Sequence, residues 1–145
     1  MRTRTKLAAV SGIAAMAASA GLLLGATPAS AGPNCSAGHH CVFYLGVNDS
    51  ARQSYYDSDT DFRNNTFNEL TSRSGGNQPV HNNVVSASNS STGGYESHYY
   101  TGVGSDWSGF LFCVNPGSYV NYLPASLQNR ASSLRLRGTT DINCF

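Results

Sequence analysis

Beyond the first thirty residues, apolar positions fall in short runs separated by Gly, Asn and Ser, a pattern of strands and turns. Cys41-Val42-Phe43-Tyr44-Leu45 predicts a strand leading into an Asn48-Asp49-Ser50 turn, with residues 53–57 returning as a second strand. Residues 64–78 read as a polar, Gly-containing loop anchored by Phe67 and Leu70. A short strand is predicted over 80–85 and a Ser/Thr/Gly linker over 89–94. The pattern then starts afresh, with strands predicted over 95–101, 110–114, 119–123 and 133–137. In the last of these, Leu134 and Leu136 alternate with Arg135 and Arg137, giving one buried and one wet face.

The start of the chain differs. Arg2, Arg4 and Lys6 precede an Ala/Leu-rich apolar run over 7–24, and Ala29-Ser30-Ala31 supplies small residues for cleavage. That is the secretory signal pattern, over residues 1–31. A membrane anchor is the rival reading, but the run is at the lower edge of a span and its small-residue exit favours cleavage. The expected product is a secreted, extracellular single domain of 114 residues, 32–145, with no second apolar span.

Composition sharpens the fold class. Residues 32–145 hold no Met, no Lys, two Glu and five Ala, so strong helix formers are nearly absent. Ser, Asn and Gly supply 42 of these residues, while 15 aromatics and eight Val dominate the apolar stock. An all-β sandwich or barrel follows, and the aromatic content argues against disorder. Six Arg face eight Asp and Glu, a formal charge of −2. With no basic cluster beyond Arg135 and Arg137, no nucleic-acid partner is expected.

Cys35, Cys41, Cys113 and Cys144 all follow the leader, and an even count in an exported small domain reads as two disulfides. Three pairings are open. Cys35 and Cys41 bracket a tight Gly-containing loop that can close locally, which would leave Cys113 to pair with Cys144. A zinc site of Cys35, His39, His40 and Cys41 is the alternative; its spacing matches no standard ligand pattern, and an oxidising compartment favours the disulfide.

The two halves share a scheme of aromatic strand, turn, further strands and a polar box. Tyr95-x4-Tyr100-x-Gly102 opens the second half and Gln128-Asn129-Arg130-Ala131-Ser132-Ser133 closes it; Asn82-Asn83-Val84-Val85-Ser86-Ala87 closes the first. These resemble the signatures of βγ-crystallin Greek keys, an aromatic/Gly corner and an (Asn/Asp)-(Asn/Asp)-x-x-(Ser/Thr)-Ser box. The Gly permits a turn that other residues resist, and the aromatics pack over it. The resemblance covers about 41–137 and implies a βγ-crystallin-like two-Greek-key β-sandwich, with keys at about 41–88 and 95–137. It departs from the pattern at Asn48 and Ser50, where an aromatic and Gly belong, at Ala87 and at Gln128. Ligation at the boxes would fall to Asn82, Asn83, Ser86, Gln128, Asn129 and Ser132, whose neutral oxygens would hold calcium weakly. No cofactor is required.

A second resemblance lies at the start of the mature chain. Cys35-Ser36-Ala37-Gly38-His39-His40-Cys41, followed by Val42-Phe43-Tyr44, looks like the Cys-x-Ala-Gly-x-x-Cys opening of small exported actinobacterial proteins of peptidase inhibitor family I36. That resemblance implies reversible inhibition of an extracellular peptidase, a metalloprotease by the family's precedent. A monomer, free of the membrane once the leader is removed, is expected. The family's metalloproteinase inhibitor carries a second close Cys pair, whereas Cys113 and Cys144 are far apart, so no inhibitory bond is assigned. Candidate contact loops are 72–79 and 102–109, both polar and Gly-containing. Trp107 would be an anchor if exposed, although the sandwich core is the more ordinary place for it. The alternatives are a calcium-tuned structural crystallin of the cell surface and an antimicrobial or killer-toxin-like crystallin.

Enzymatic chemistry has little support. Neither Gly-x-Ser-x-Gly nor His-Glu-x-x-His occurs. Glu96 and His98, two apart on a predicted strand, would share a face as a general base and acid or as a solvated edge pair. Asp57-Ser58-Asp59-Thr60-Asp61 mimics the first half of an EF-hand loop, but Phe62 replaces the required Gly and Asn68 takes the closing position. A weak surface calcium site or solvated turn carboxylates are the readings left.

Overall fold

Strand β1 (His40–Phe43) runs antiparallel between β2 (Arg52–Tyr55) and β3 (Ser86–Asn89), with Phe43 opposite Arg52 on one side and Ser86 on the other. In the computed structural model, which describes residues 31–145, β6 (Tyr119–Val120) adds to β3 and completes the sheet β2-β1-β3-β6. The second sheet repeats the plan. There β4 (Glu96–Tyr100) lies between β5 (Phe110–Val114) and β7 (Ser133–Arg137), and Tyr100 stands opposite Ser133 as Phe43 stands opposite Ser86. Beyond β7, a single bridge joins Asp59 and Leu134, each N–H donating to the other's carbonyl at 2.8 Å. Each half thus sends its third segment to the sheet of the other: Asp59 to β7, and β6 to β3. The two interlocked Greek keys make one all-β sandwich of βγ-crystallin type, stapled by two disulfides.

Alternation along the strands fills the space between the sheets. Val42, Ala87, Tyr99, Phe112, Val114 and Leu134 point inward, with Phe62, Phe67, Val80 and Val84 contributed by loops. Tyr99 stacks on Phe112 and Tyr55 on Phe62 at centroid distances of 4.5 and 5.0 Å. Cys35 bonds to Cys41 and Cys113 to Cys144. The zinc alternative at Cys35, His39, His40 and Cys41 is thereby overturned: both sulfurs are in a disulfide, His39 packs edge-on against Tyr56, and His40 Nδ1 meets Ser97 Oγ at 2.6 Å.

The structure departs from the sequence pattern in the middle of the chain. The third strand of the first sheet is Ser86–Asn89, whereas 80–85 is irregular. Three small polar residues and Ala87 form a fully buried strand in which Ser86 and Asn89 find partners: Ser86 Oγ accepts from Tyr122 N–H (3.0 Å), and Asn89 Nδ2 donates to Tyr95 O (2.8 Å) and Val114 O (2.9 Å). For the same reason 89–94 is no free linker, since Asn89, Ser90 and Ser91 are buried. Leu70 is exposed at a left-handed φ of 56° and anchors nothing; Phe67 does. The leader read over residues 1–31 lies, except for Ala31, outside the described residues. Among the described residues no helix is long and apolar enough to cross a membrane.

Candidate functional site

The two polar boxes meet across the sandwich. Asn82 N–H donates to Ala131 O (3.0 Å) and Asn129 N–H to Val84 O (2.9 Å), and both Asn are left-handed, at φ 57° and 56°. This symmetry makes Asn82 equivalent to Asn129 and Ser86 to Ser133, one residue later than an alignment of Asn82 with Gln128. Ser132 Oγ donates to Asn82 Oδ1 (3.3 Å), so the structure brings these two together. Asn83 Nδ2 instead donates to Pro79 O (3.0 Å), Ser86 Oγ accepts from Tyr122 N–H (3.0 Å) and Gln128 Nε2 donates to Leu123 O (2.6 Å). The six residues include no carboxylate, and the side-chain oxygens of Asn82 and Ser86 are already acceptors. Calcium takes six to eight oxygens and tightens with ligand charge, so this set does not fit a tight calcium cage. Its visible work is to brace one key against the other.

The acidic run is structural. Asp59 Oδ1 accepts from Asp61 N–H (2.8 Å) and Asp59 Oδ2 from Asn65 Nδ2 (2.9 Å). Asp61 caps a single 3-10 turn, Phe62–Asn64, and pairs with Arg63 Nε and Nη2 at 2.8 and 2.7 Å. Those hydrogen bonds hold the Asp61 carboxyl well below the usual range, to about 2.

Of the two candidate contact loops, 72–79 is the more exposed and the better fastened. Gly76 and Gln78 donate backbone hydrogen bonds within the loop, Arg73 N–H donates to Leu70 O just before it, and Asn77 N–H and Gln78 O close onto Phe67. Ser74 O accepts from Ala51 N–H (2.9 Å), and Arg73 Nη1 donates to Asn48 O (2.9 Å). Gly75, at φ 86°, lies so close over the Tyr44 ring that a Cβ would come within 2.0 Å of it. In loop 102–109, Trp107 is half-buried and outside the core. Its ring lies 5.8 Å from that of Tyr100 and under the Arg135 guanidinium at 5.7 Å.

At the opposite end of the strands, a cavity of about 330 Å³ lies between His40, Asp57, Ser58, Thr92 and Leu136, flanked by the exposed rings of Tyr56 and Tyr95. Nearby on β4, Glu96 and His98 do share a face, with Glu96 Oε2 2.6 Å from His98 Nε2. The pair is not solvated: the residues are 1% and 0% exposed, which also withholds them from any substrate. Burial alone would raise the Glu96 carboxyl, but hydrogen bonds from His98 and Thr140 outweigh it and hold the group below its ordinary value. Residues far apart in the chain, Thr140 and Cys144 among them, complete this cluster, and no local motif signals it.

No family model matches the chain, and no curated protein does. Among solved structures the chain is similar to the N-terminal domain of protein S, at 16% identity and a TM-score of 0.46, over 69% of this chain and 96% of that one. The fold assignment rests on the strand order and the exchanged segments; a likeness of this degree says nothing of function. The kinship suggested by the Cys35–Cys41 segment therefore stands on sequence resemblance alone.

Proposed function

We propose that the protein is a secreted binding protein that inhibits an extracellular peptidase reversibly and stoichiometrically. The observation that carries this reading is loop 72–79, exposed along most of its length yet fixed by backbone hydrogen bonds and by Gly75 against Tyr44. A loop already ordered loses little conformational entropy on docking, which is the main handicap of loop-borne recognition. Two disulfides are compatible with export, and the resemblance of 35–41 to the I36 inhibitors points to the same class. The crystallin alternatives, calcium-tuned structural or antimicrobial, are compatible with the fold.

The test is titration of a thermolysin-type and a subtilisin-type enzyme with the folded protein. Activity of one should fall linearly to an equivalence point near one inhibitor per enzyme. Arg73→Ala, which frees the loop from Asn48, should weaken inhibition about tenfold. Full activity of both enzymes at micromolar protein, with digestion of the chain, overturns the reading. Growth inhibition of competing microbes would then favour the antimicrobial crystallin.

A further inference from the structure

Tyr99 points into the core, so Glu96 and His98 lie on the outer face of the second sheet. Cys113 stands directly opposite His98 in the β4–β5 pairing and shares that face. The C-terminal segment roofs it. Thr140 hydrogen-bonds Glu96, Cys144 is bonded to Cys113, Phe145 N–H donates to Cys113 O (3.0 Å) and Asn115 N–H to Phe145 O (2.8 Å). Beneath this roof a ring nitrogen of His98 and both sulfurs lie within 4.8 Å of one another.

The partners of His98 lie on one side of its ring. Glu96 receives Thr140 N–H at 2.9 Å, Thr140 Oγ1 at 2.8 Å and His98 Nε2 at 2.6 Å. Glu96 thus occupies Nε2, which leaves Nδ1 as the ring nitrogen open to another partner. That Nδ1 is buried and has no hydrogen-bond partner among the described residues. A buried ring nitrogen without a partner is uncommon and needs a reason. A carboxylate on the far nitrogen of an imidazole is also the arrangement by which proteins orient a metal-ligating His.

We propose that His98, Cys113 and Cys144 are a latent zinc site, closed by the Cys113–Cys144 disulfide and opened by its reduction. A dithiol reductant supplies two electrons and two protons and becomes a disulfide, while the Sγ–Sγ bond breaks to give two thiols. Zinc then displaces both thiol protons to solvent and takes two thiolates and the Nδ1 lone pair. Zn–S bonds of about 2.3 Å and Zn–N of about 2.1 Å place tetrahedral ligands roughly 3.5–3.8 Å apart, within reach of the present spacing. The hydrogen bonds to Phe145 hold Cys144 over the site once the disulfide opens. The fourth position is left for water or a donor atom from a partner.

The experiment reduces the exported protein anaerobically with a phosphine in the presence of cobalt(II), used as a spectroscopic substitute for zinc. One cobalt per chain should bind with thiolate-to-metal charge-transfer bands, and zinc should displace it; the oxidised protein should bind none. Cys35→Ser/Cys41→Ser should leave binding intact. His98→Ala should weaken it at least 100-fold, and Glu96→Gln by about 10–100-fold. Should the His98 variant not fold, Cys144→Ser, at the chain end, provides the same reading. Loss of the cobalt bands in Cys35→Ser/Cys41→Ser, their persistence in the His98 or Cys144 variant, or a reduced chain that loses β-sheet circular dichroism even with metal present, each overturns the site.

Discussion

At the start of β1, His40 is 1% exposed with Nδ1 2.6 Å from Ser97 Oγ. Burial first, and the neighbouring His39 second, lower its pKa from 6.5 to about 4. A His with a depressed folded pKa is neutral in the native state while the unfolded chain takes up a proton. Stability is therefore complete above pH 6.5, declines as pH falls, and levels off near pH 4. The full effect is about 3 kcal/mol. Denaturant unfolding between pH 7 and 4.5 should show this decline, and His40→Gln should flatten it; an unchanged slope in the variant refutes the assignment. Glu96 acts in the same direction but in a lower pH window. Its depressed carboxyl contributes stability above about pH 4.5 that is lost as pH falls further. Two glycines offer a second comparison. Gly94, at φ 75°, has open space around a built Cβ, so Gly94→Ala should cost about 1 kcal/mol of backbone strain. Gly75→Ala adds a collision with Tyr44 to the same strain and should cost about 3 kcal/mol or more. Equal losses in the two variants would show that the loop yields where it is drawn as fixed.

Among the elements, β1, β4, β5 and β7 are legible because their aromatic and aliphatic residues alternate across a buried face. Strand β3 is not, because Ser, Ala, Ser and Asn carry the composition of a turn and become a strand through partners supplied by distant segments. The Asp59 segment was equally hidden: its role as the exchanged third segment of the first key rests on a single bridge. The boxes were located in the sequence, but their equivalence was displaced by one residue, since the Ser132-Ser133 pair draws the motif's start onto Gln128, whereas the left-handed backbone matching Asn82 falls at Asn129. The His98–Cys113–Cys144 cluster is written in pairing register and chain return, which leave no local pattern. The brace formed by the boxes has consequences of its own. Ser86→Ala removes the acceptor for Tyr122 N–H and should destabilise by about 1–3 kcal/mol in thermal or denaturant unfolding. Removing calcium should move the melting temperature by less than about 2 °C, because a ligand held weakly contributes little by linkage. A steep fall on adding chelator at micromolar calcium would mean that a cage forms which these neutral side chains do not account for.

For the whole molecule, the exchange of third segments has a sharper consequence than the presence of two similar halves. Neither sheet belongs to one half: β6 of the second key completes the first sheet, and Asp59 of the first key closes onto β7. Half of the chain cannot unfold without stripping an edge from the other half's sheet and opening the shared core. Unfolding should therefore be a single cooperative transition. The disulfides bear on its midpoint unequally. Cys113–Cys144 closes a separation of 31 residues and Cys35–Cys41 one of 6. On chain-entropy grounds the first contributes about 3.7 kcal/mol and the second about 2.4. Cys113→Ser/Cys144→Ser should lower the unfolding midpoint more than Cys35→Ser/Cys41→Ser, and each variant should still unfold in one step. Trp107 reports on the second half by fluorescence, while far-ultraviolet circular dichroism reports on both sheets. Coincident curves from the two probes, in the parent and in both variants, are the expected result. A fluorescence transition that precedes the loss of sheet signal would mean that the halves unfold separately and that the exchanged segments do not couple them.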